Sequence, residues 1–114
     1  MRLKVTEQSI IKAILEYLSY NNIFAWRNNA GAFPIESNGK WRYFRAGFAG
    51  ISDIIGILPD GRMLCIEVKT KKGVVSFKQQ LFLDTIKRSG GLAFVARSVE
   101  DVRQKLKEYI TGRL

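Results

Sequence analysis

The sequence predicts an α/β domain in which a mixed central sheet is flanked by helices, and three observations carry that expectation. Two apolar strand-like runs, Asp53–Leu58 and Met63–Thr70, meet at the turn Pro59-Asp60-Gly61. Amphipathic helical periods stand before, after and between the strand-like runs. Gly90-Gly91 then separates a helical segment from a further apolar run, Leu92–Ala96. Helices interleaved with apolar strands cover both faces of a sheet, which is the α/β arrangement. No repeat, low-complexity tract or linker interrupts the 114 residues, so a single domain over 1–114 is expected.

The elements follow in chain order. Ile10, Ile11, Ile14, Leu15 and Leu18 recur at helical spacing, predicting a first helix from about Thr6 to Asn22 with Thr6 as its N-cap. Ile23–Arg27 is a short strand-like run. Residues 28–50 mix Gly, Asn, Pro and aromatics without a clean period, and read as a loop holding one strand near Trp41–Arg45. After the hairpin, Lys71-Lys72-Gly73 breaks the pattern, and Ser76 caps a second helix running to about Ser89. Ser98, with Asp101 three residues on, opens a last helix from Val99 to about Thr111. The expected order is αβββαβα.

The hairpin is the most informative segment. Pro, Asp and Gly suit successive positions of a bulged three-residue turn, with Gly61 in the left-handed conformation. In that register Leu58 faces Arg62, and counting back sets Asp53 opposite Glu67. Side chains alternate along a strand, so Lys69 shares the face of Glu67 while Val68 points away. Both strands are apolar on both faces (Ile54, Ile55, Ile57, Leu58, Leu64, Cys65, Ile66), as expected of a covered, central hairpin. Two carboxylates about 5 Å apart repel unless a cation or proton sits between them. A hard divalent ion such as Mg²⁺ suits oxygen ligands of this kind, and Lys69 beside it could polarise water or neutralise charge on a phosphate. The plainer alternative is a Glu67–Lys69 surface pair, with Asp53 merely starting a strand.

Composition narrows the classes of function. The formal charge is +9, from 19 basic and 10 acidic residues, with a pI near 10. Such a surplus favours a polyanionic partner, most simply nucleic acid. No helix joins a large apolar face to a dense basic one, so an anionic membrane ranks well below it. The chain has no His and a single cysteine, Cys65, which excludes an internal disulfide, a Cys/His zinc site and Ser–His or Cys–His catalysis. Met1–Val5 leads straight into the first helix without a signal peptide, and no apolar run reaches membrane-spanning length. The cytoplasm, of a bacterium or of a phage-infected host cell, is the expected location.

Glu7 on the first helix, Gly50-Ile51-Ser52-Asp53 opening a strand, Glu67-Val68-Lys69 in the next, and Ser76-Phe77-Lys78-Gln79 starting the following helix together resemble the virus-type replication-repair nuclease (VRR-NUC) domain. This is a branch of the PD-(D/E)XK nuclease superfamily, and the likeness is to its stand-alone phage and bacterial members. It extends through Gly90–Val95 and the Arg97–Asp101 stretch, nearly the whole chain. Ser52, rather than Pro, precedes Asp53. The resemblance implies a restriction-endonuclease-like core. It also implies roles: Asp53, Glu67 and the backbone carbonyl of Val68 as metal ligands, Glu7 as a ligand directly or through water, and Lys69 orienting the attacking water. Glu7 lies on the inward stripe with Ile10, Ile11 and Ile14, although a first-turn carboxylate also suits the helix dipole. Gln79 completes the implied catalytic set, although Ser76-x-x-Gln79 is a capping box and needs no further reason.

For DNA contacts the candidates are Arg27, Lys40, Arg42 and Arg45, interleaved with Trp26, Trp41, Tyr43 and Phe44, and Lys71 and Lys72 beside the carboxylates. Trp26 and Phe44 fit core or a dimer contact better than DNA. The resemblance implies a Mg²⁺-dependent endodeoxyribonuclease, with Mn²⁺ as a substitute, acting on four-way (Holliday) junctions in replication, repair or recombination. Size and family imply a homodimer. The alternatives are a flap, nick or general duplex nuclease, and a DNA-binding module without catalysis.

Overall fold

A computed structural model describes residues 4–28, 32–45 and 50–112, with only the backbone described at 32–34 and 43–45. Among the described residues nine elements follow in chain order: α1 (Glu7–Tyr20), β1 (Phe24–Arg27), β2 (Ala32–Ser37), β3 (Lys40–Arg45), β4 (Ile54–Ile57), β5 (Met63–Val68), α2 (Phe77–Arg88), β6 (Leu92–Ala96) and α3 (Val99–Ile110). The main sheet has the order β1-β4-β5-β6, with β5–β6 parallel and the other pairs antiparallel. The expected mixed sheet with flanking helices is therefore present.

The order αβββαβα holds for this core, and an inserted hairpin extends it. Residues 28–50 were expected to be a loop with one strand, but β2 and β3 pair there as a separate two-stranded sheet. The turn is Asn38-Gly39, both at positive φ (53° and 73°). Two consecutive left-handed residues give the tight turn whose twist matches a hairpin. Pro34 and Glu36 mask the strand character of β2, so its alternation is weak, while Asn-Gly was the legible signal.

Alternation along β4, β5 and β6 sends side chains into two apolar clusters, one on each sheet face. Ile54, Leu64, Ile66, Val68, Leu92, Phe94 and Ala96 meet α1 (Ile10, Ile11, Ile14, Leu18) and α3 (Val102, Leu106). Ile55, Cys65 and Ala93 meet Leu83 of α2, with Phe82 and Ile86 beside them. Burial on both faces explains the continuous apolar runs of the hairpin. Cys65 is wholly buried, and desolvation pushes its thiol up to about 11, which makes it an inert core residue. Trp26, expected in the core or at a dimer contact, is not core: it is 41% exposed beside Phe24 at a ring separation of 5.4 Å, because α2 leaves that part of the sheet uncovered. The side chain of Phe44 lies outside the described residues.

Candidate active site

The β4–β5 turn closes as the sequence requires. The Leu58 N–H donates to Arg62 O and the Gly61 N–H to Leu58 O, each at 2.8 Å, with Gly61 at φ 90°. The register pairs Ile57 with Met63 and Ile54 with Ile66, so Asp53, one residue before β4, stands opposite Glu67. The Val68 N–H donates to Asp53 Oδ2 at 2.8 Å, locking that carboxylate onto β5. Both acids lie on the α2 face of the sheet, and the Val68 side chain points into the opposite cluster.

Glu67 is the unusual member. It is only 2% exposed, and its Oε2 is buried without a hydrogen-bond partner. Its Oε1 accepts from Gln79 Nε2 at 2.8 Å, and Lys69 Nζ stands 3.8 Å from the same oxygen. Burial pushes the carboxyl up to about 8; the negative charge of Asp53 adds to this, and the Lys69 ammonium opposes it. In the protein alone, Glu67 thus keeps its proton at neutral pH. A buried acid with an orphaned oxygen beside a second acid is a site that wants positive charge.

Gln79 serves two partners at once. Its Oε1 accepts from the Ser76 N–H at 2.9 Å and its own N–H donates to Ser76 Oγ at 3.1 Å, closing the capping box. A backbone N–H can only donate, so it takes the amide oxygen and leaves Nε2 to face Glu67. The capping box and the site contact, which from sequence were competing reasons for this residue, are both present. Gly50 brings the helix to that position. It sits at φ 85°, and a Cβ there would lie 2.5 Å from Lys78 O and 2.9 Å from Gln79 N, so the chain entering β4 packs directly on the first turn of α2.

The structure therefore brings together Asp53, Glu67, Lys69 and Gln79, with the Val68 peptide between the acids. Glu7 is half-buried in the first turn of α1, and its charge is the last of the influences raising Glu67. Among the described residues no three acidic, His or Cys side chains group closely enough to hold an ion by themselves, so Glu7 is not gathered with the pair. Of the candidate DNA contacts, Lys71 and Lys72 are exposed just beyond β5, and Lys40 and Arg42 are exposed on β3 beside Trp41. Arg27 pairs with Ile54 and lines a groove with Gln8 and Lys12 of α1, on the face away from the acids. The Arg45 side chain lies outside the described residues. Sequence reasoning missed the packing role of Gly50, whose signal was its place at the head of the Gly50–Asp53 motif. It also missed Asn28, whose N–H donates to Asp53 O at 2.7 Å and whose Nδ2 is buried without a partner.

No helix among the described residues is long and apolar enough to cross a membrane. No curated protein matches the chain. The profile of the VRR-NUC domain matches residues 5–100, a span that contains Glu7, Asp53, Glu67, Lys69 and Gln79. A match over most of 114 residues, on a mixed four-stranded sheet whose hairpin gathers two acids and a lysine, places this chain in the VRR-NUC family of nuclease domains.

Proposed function

We propose that this chain is a Mg²⁺-dependent endodeoxyribonuclease that hydrolyses phosphodiester bonds in branched DNA, four-way junctions above all, as a homodimer. The observation that carries the reading is the convergence of Asp53, Glu67 and Lys69 on one sheet face, with a buried Glu67 oxygen left without a partner. The donor set fits a hard divalent ion: the Asp53 carboxylate, a peptide carbonyl at Val68, and the Glu67 carboxyl, which stays protonated to about pH 8 unless positive charge replaces its proton. Glu7, set apart from the pair, suits contact through water. When bound there, the ion supplies Lewis acidity toward water and the phosphate.

The chain's own groups do the rest. Gln79 fixes the Glu67 carboxyl through Nε2, and the Val68 N–H fixes Asp53, so neither acid must reorganise. Lys69, whose side chain is 12% exposed, holds its ammonium at the mouth of the pair, where it can orient water and offset charge on the phosphate. Lys71 and Lys72 would take the flanking phosphates, with Lys40, Arg42, Arg45 and Arg27 as further contacts, and the +9 charge supports a polyanionic substrate.

Junction resolution takes two cuts, and a two-fold dimer supplies two centres. Phe24, Ile57 and Met63 lie in register across β1, β4 and β5 and are all exposed, an apolar row that suits a second copy. Cleavage of four-way junctions, flaps, nicked and linear duplex, with and without EDTA, tests the reading. Preference for the junction, abolished by EDTA, is expected. Equal rates on every substrate would reject junction specificity, and binding without cleavage of any would leave a DNA-binding module.

A further inference from the structure

Arg97, the first residue after β6, is absent from the site described above, yet it controls the turn that follows Lys69. Its Nη1 donates to Thr70 O at 2.6 Å and Gly73 O at 2.8 Å, with Lys71 O at 3.3 Å. The same turn is closed by the Gly73 N–H donating to Thr70 O at 3.0 Å. Carbonyls gathered on one guanidinium make charge-assisted bonds that a neutral donor would not match. Gly73 in turn lies along the Lys69 stem: a Cβ there would be 3.3 Å from both Cβ and Cδ of Lys69. The backbone of Lys69 is held by the neighbouring residue, its N–H donating to Ala96 O at 3.1 Å. Arg97 itself is anchored by its own N–H, which donates to Asp101 Oδ2 at 2.8 Å in the first turn of α3.

We propose that Arg97 is a positioning residue for Lys69. By clamping the 70–73 turn over the aliphatic stem, it restricts a side chain that otherwise samples many rotamers and keeps Nζ beside Glu67. The inference rests on the nuclease reading for its kinetic consequence, and on packing alone for its structural one. The same clamp fixes the backbone that carries Lys71 and Lys72.

Two measurements on the full chain test it. In the first, lysines are acylated with acetic anhydride and each site is quantified by mass spectrometry. Lys69 is expected to react slowly in the wild type, and about tenfold faster in Arg97→Met as the turn lifts from a preorganised stem, with Lys12 unchanged. In the second, single-turnover cleavage at saturating DNA is expected to fall about tenfold in Arg97→Met, and the double variant with Lys69→Met to be no slower than Lys69→Met alone, as for residues acting as one unit. Binding of DNA in Ca²⁺ is expected to stay within about threefold, because exposed phosphate contacts persist. Unchanged Lys69 acylation in Arg97→Met overturns the proposal whatever the kinetics, and so do losses that multiply in the double variant. Should Arg97→Met not fold, Arg97→Lys keeps the charge but loses the fork, and the acylation comparison is made on it. A wild type that cleaves no DNA defeats the nuclease reading, while acylation still decides the clamp.

Discussion

Replacing Glu67 with Gln should stabilise the metal-free protein at alkaline pH while abolishing its activity. The folded state holds the Glu67 proton up to about pH 8, whereas an unfolded glutamate releases it near its ordinary value of 4.5. Between those values the native state binds more protons than the unfolded one, so stability falls as pH rises through the window. The ceiling on that loss is about 5 kcal/mol for a displacement of this size, and relaxation around the partly open Lys69 brings it to the order of 2–3 kcal/mol. Gln does not titrate, and its amide oxygen can still accept from Gln79 Nε2. The two proteins should therefore melt alike in EDTA at pH 5 and separate toward pH 9, with Glu67→Gln ahead by roughly 10 °C for a domain of this size. Titrations away from this cluster are common to both proteins, so the difference between the curves reports on Glu67 and the charges coupled to it. Added Mg²⁺ should then raise the wild-type midpoint at pH 8, through binding to the native state alone, and leave the variant unmoved. Thermal melts followed by circular dichroism from pH 5 to 9 make the test. Parallel pH profiles, or a variant less stable than wild type at pH 9, would refute the account of Glu67 as a buried acid awaiting a cation.

Other outcomes follow from the same geometry. Gln79→Glu keeps an acceptor for the Ser76 N–H but removes the donor to Glu67, so the melting midpoint should move little while cleavage falls by about 10²-fold; equal loss in Gln79→Glu and a capping-null Ser76→Ala would mean that the cap alone matters. Gly50→Ala places a Cβ against the Lys78 carbonyl at positive φ and should cost about 1–3 kcal/mol in denaturant unfolding. Lys71→Ala and Lys72→Ala, both exposed beside the acids, should each lower the slope of log K against log salt by about one in a DNA-binding titration, without changing the melting midpoint.

The sequence made some of this legible and hid the rest, for reasons that residues make plain. The pairing of Asp53 with Glu67 was readable because Pro59-Asp60-Gly61 fixes the turn length, and a period of two then carries the register back along both strands. Helix starts were readable because Thr6, Ser76 and Ser98 all cap through their own side chains. β2 was missed because Ala32–Ser37 contains Pro and Glu without clean alternation, and the Asn38-Gly39 turn was the stronger sign. The double use of Gln79 was half legible: its capping spacing is local, but its reach to Glu67 depends on how Gly50 seats α2. Arg97 was invisible, since its carbonyl partners lie 24 to 27 residues earlier in the chain and no local pattern links them. Contacts of that kind arise only when β6 is laid parallel to β5.

The most direct measurement compares DNA cleavage and DNA affinity in Asp53→Asn. The amide oxygen can still accept from the Val68 N–H, so the fold and the basic surface persist while one of the paired charges is gone. Cleavage in Mg²⁺ should fall by about 10³-fold or more with affinity for the same DNA unchanged within a few-fold. Cleavage at the wild-type rate would contradict the assignment of this carboxylate pair as the catalytic centre.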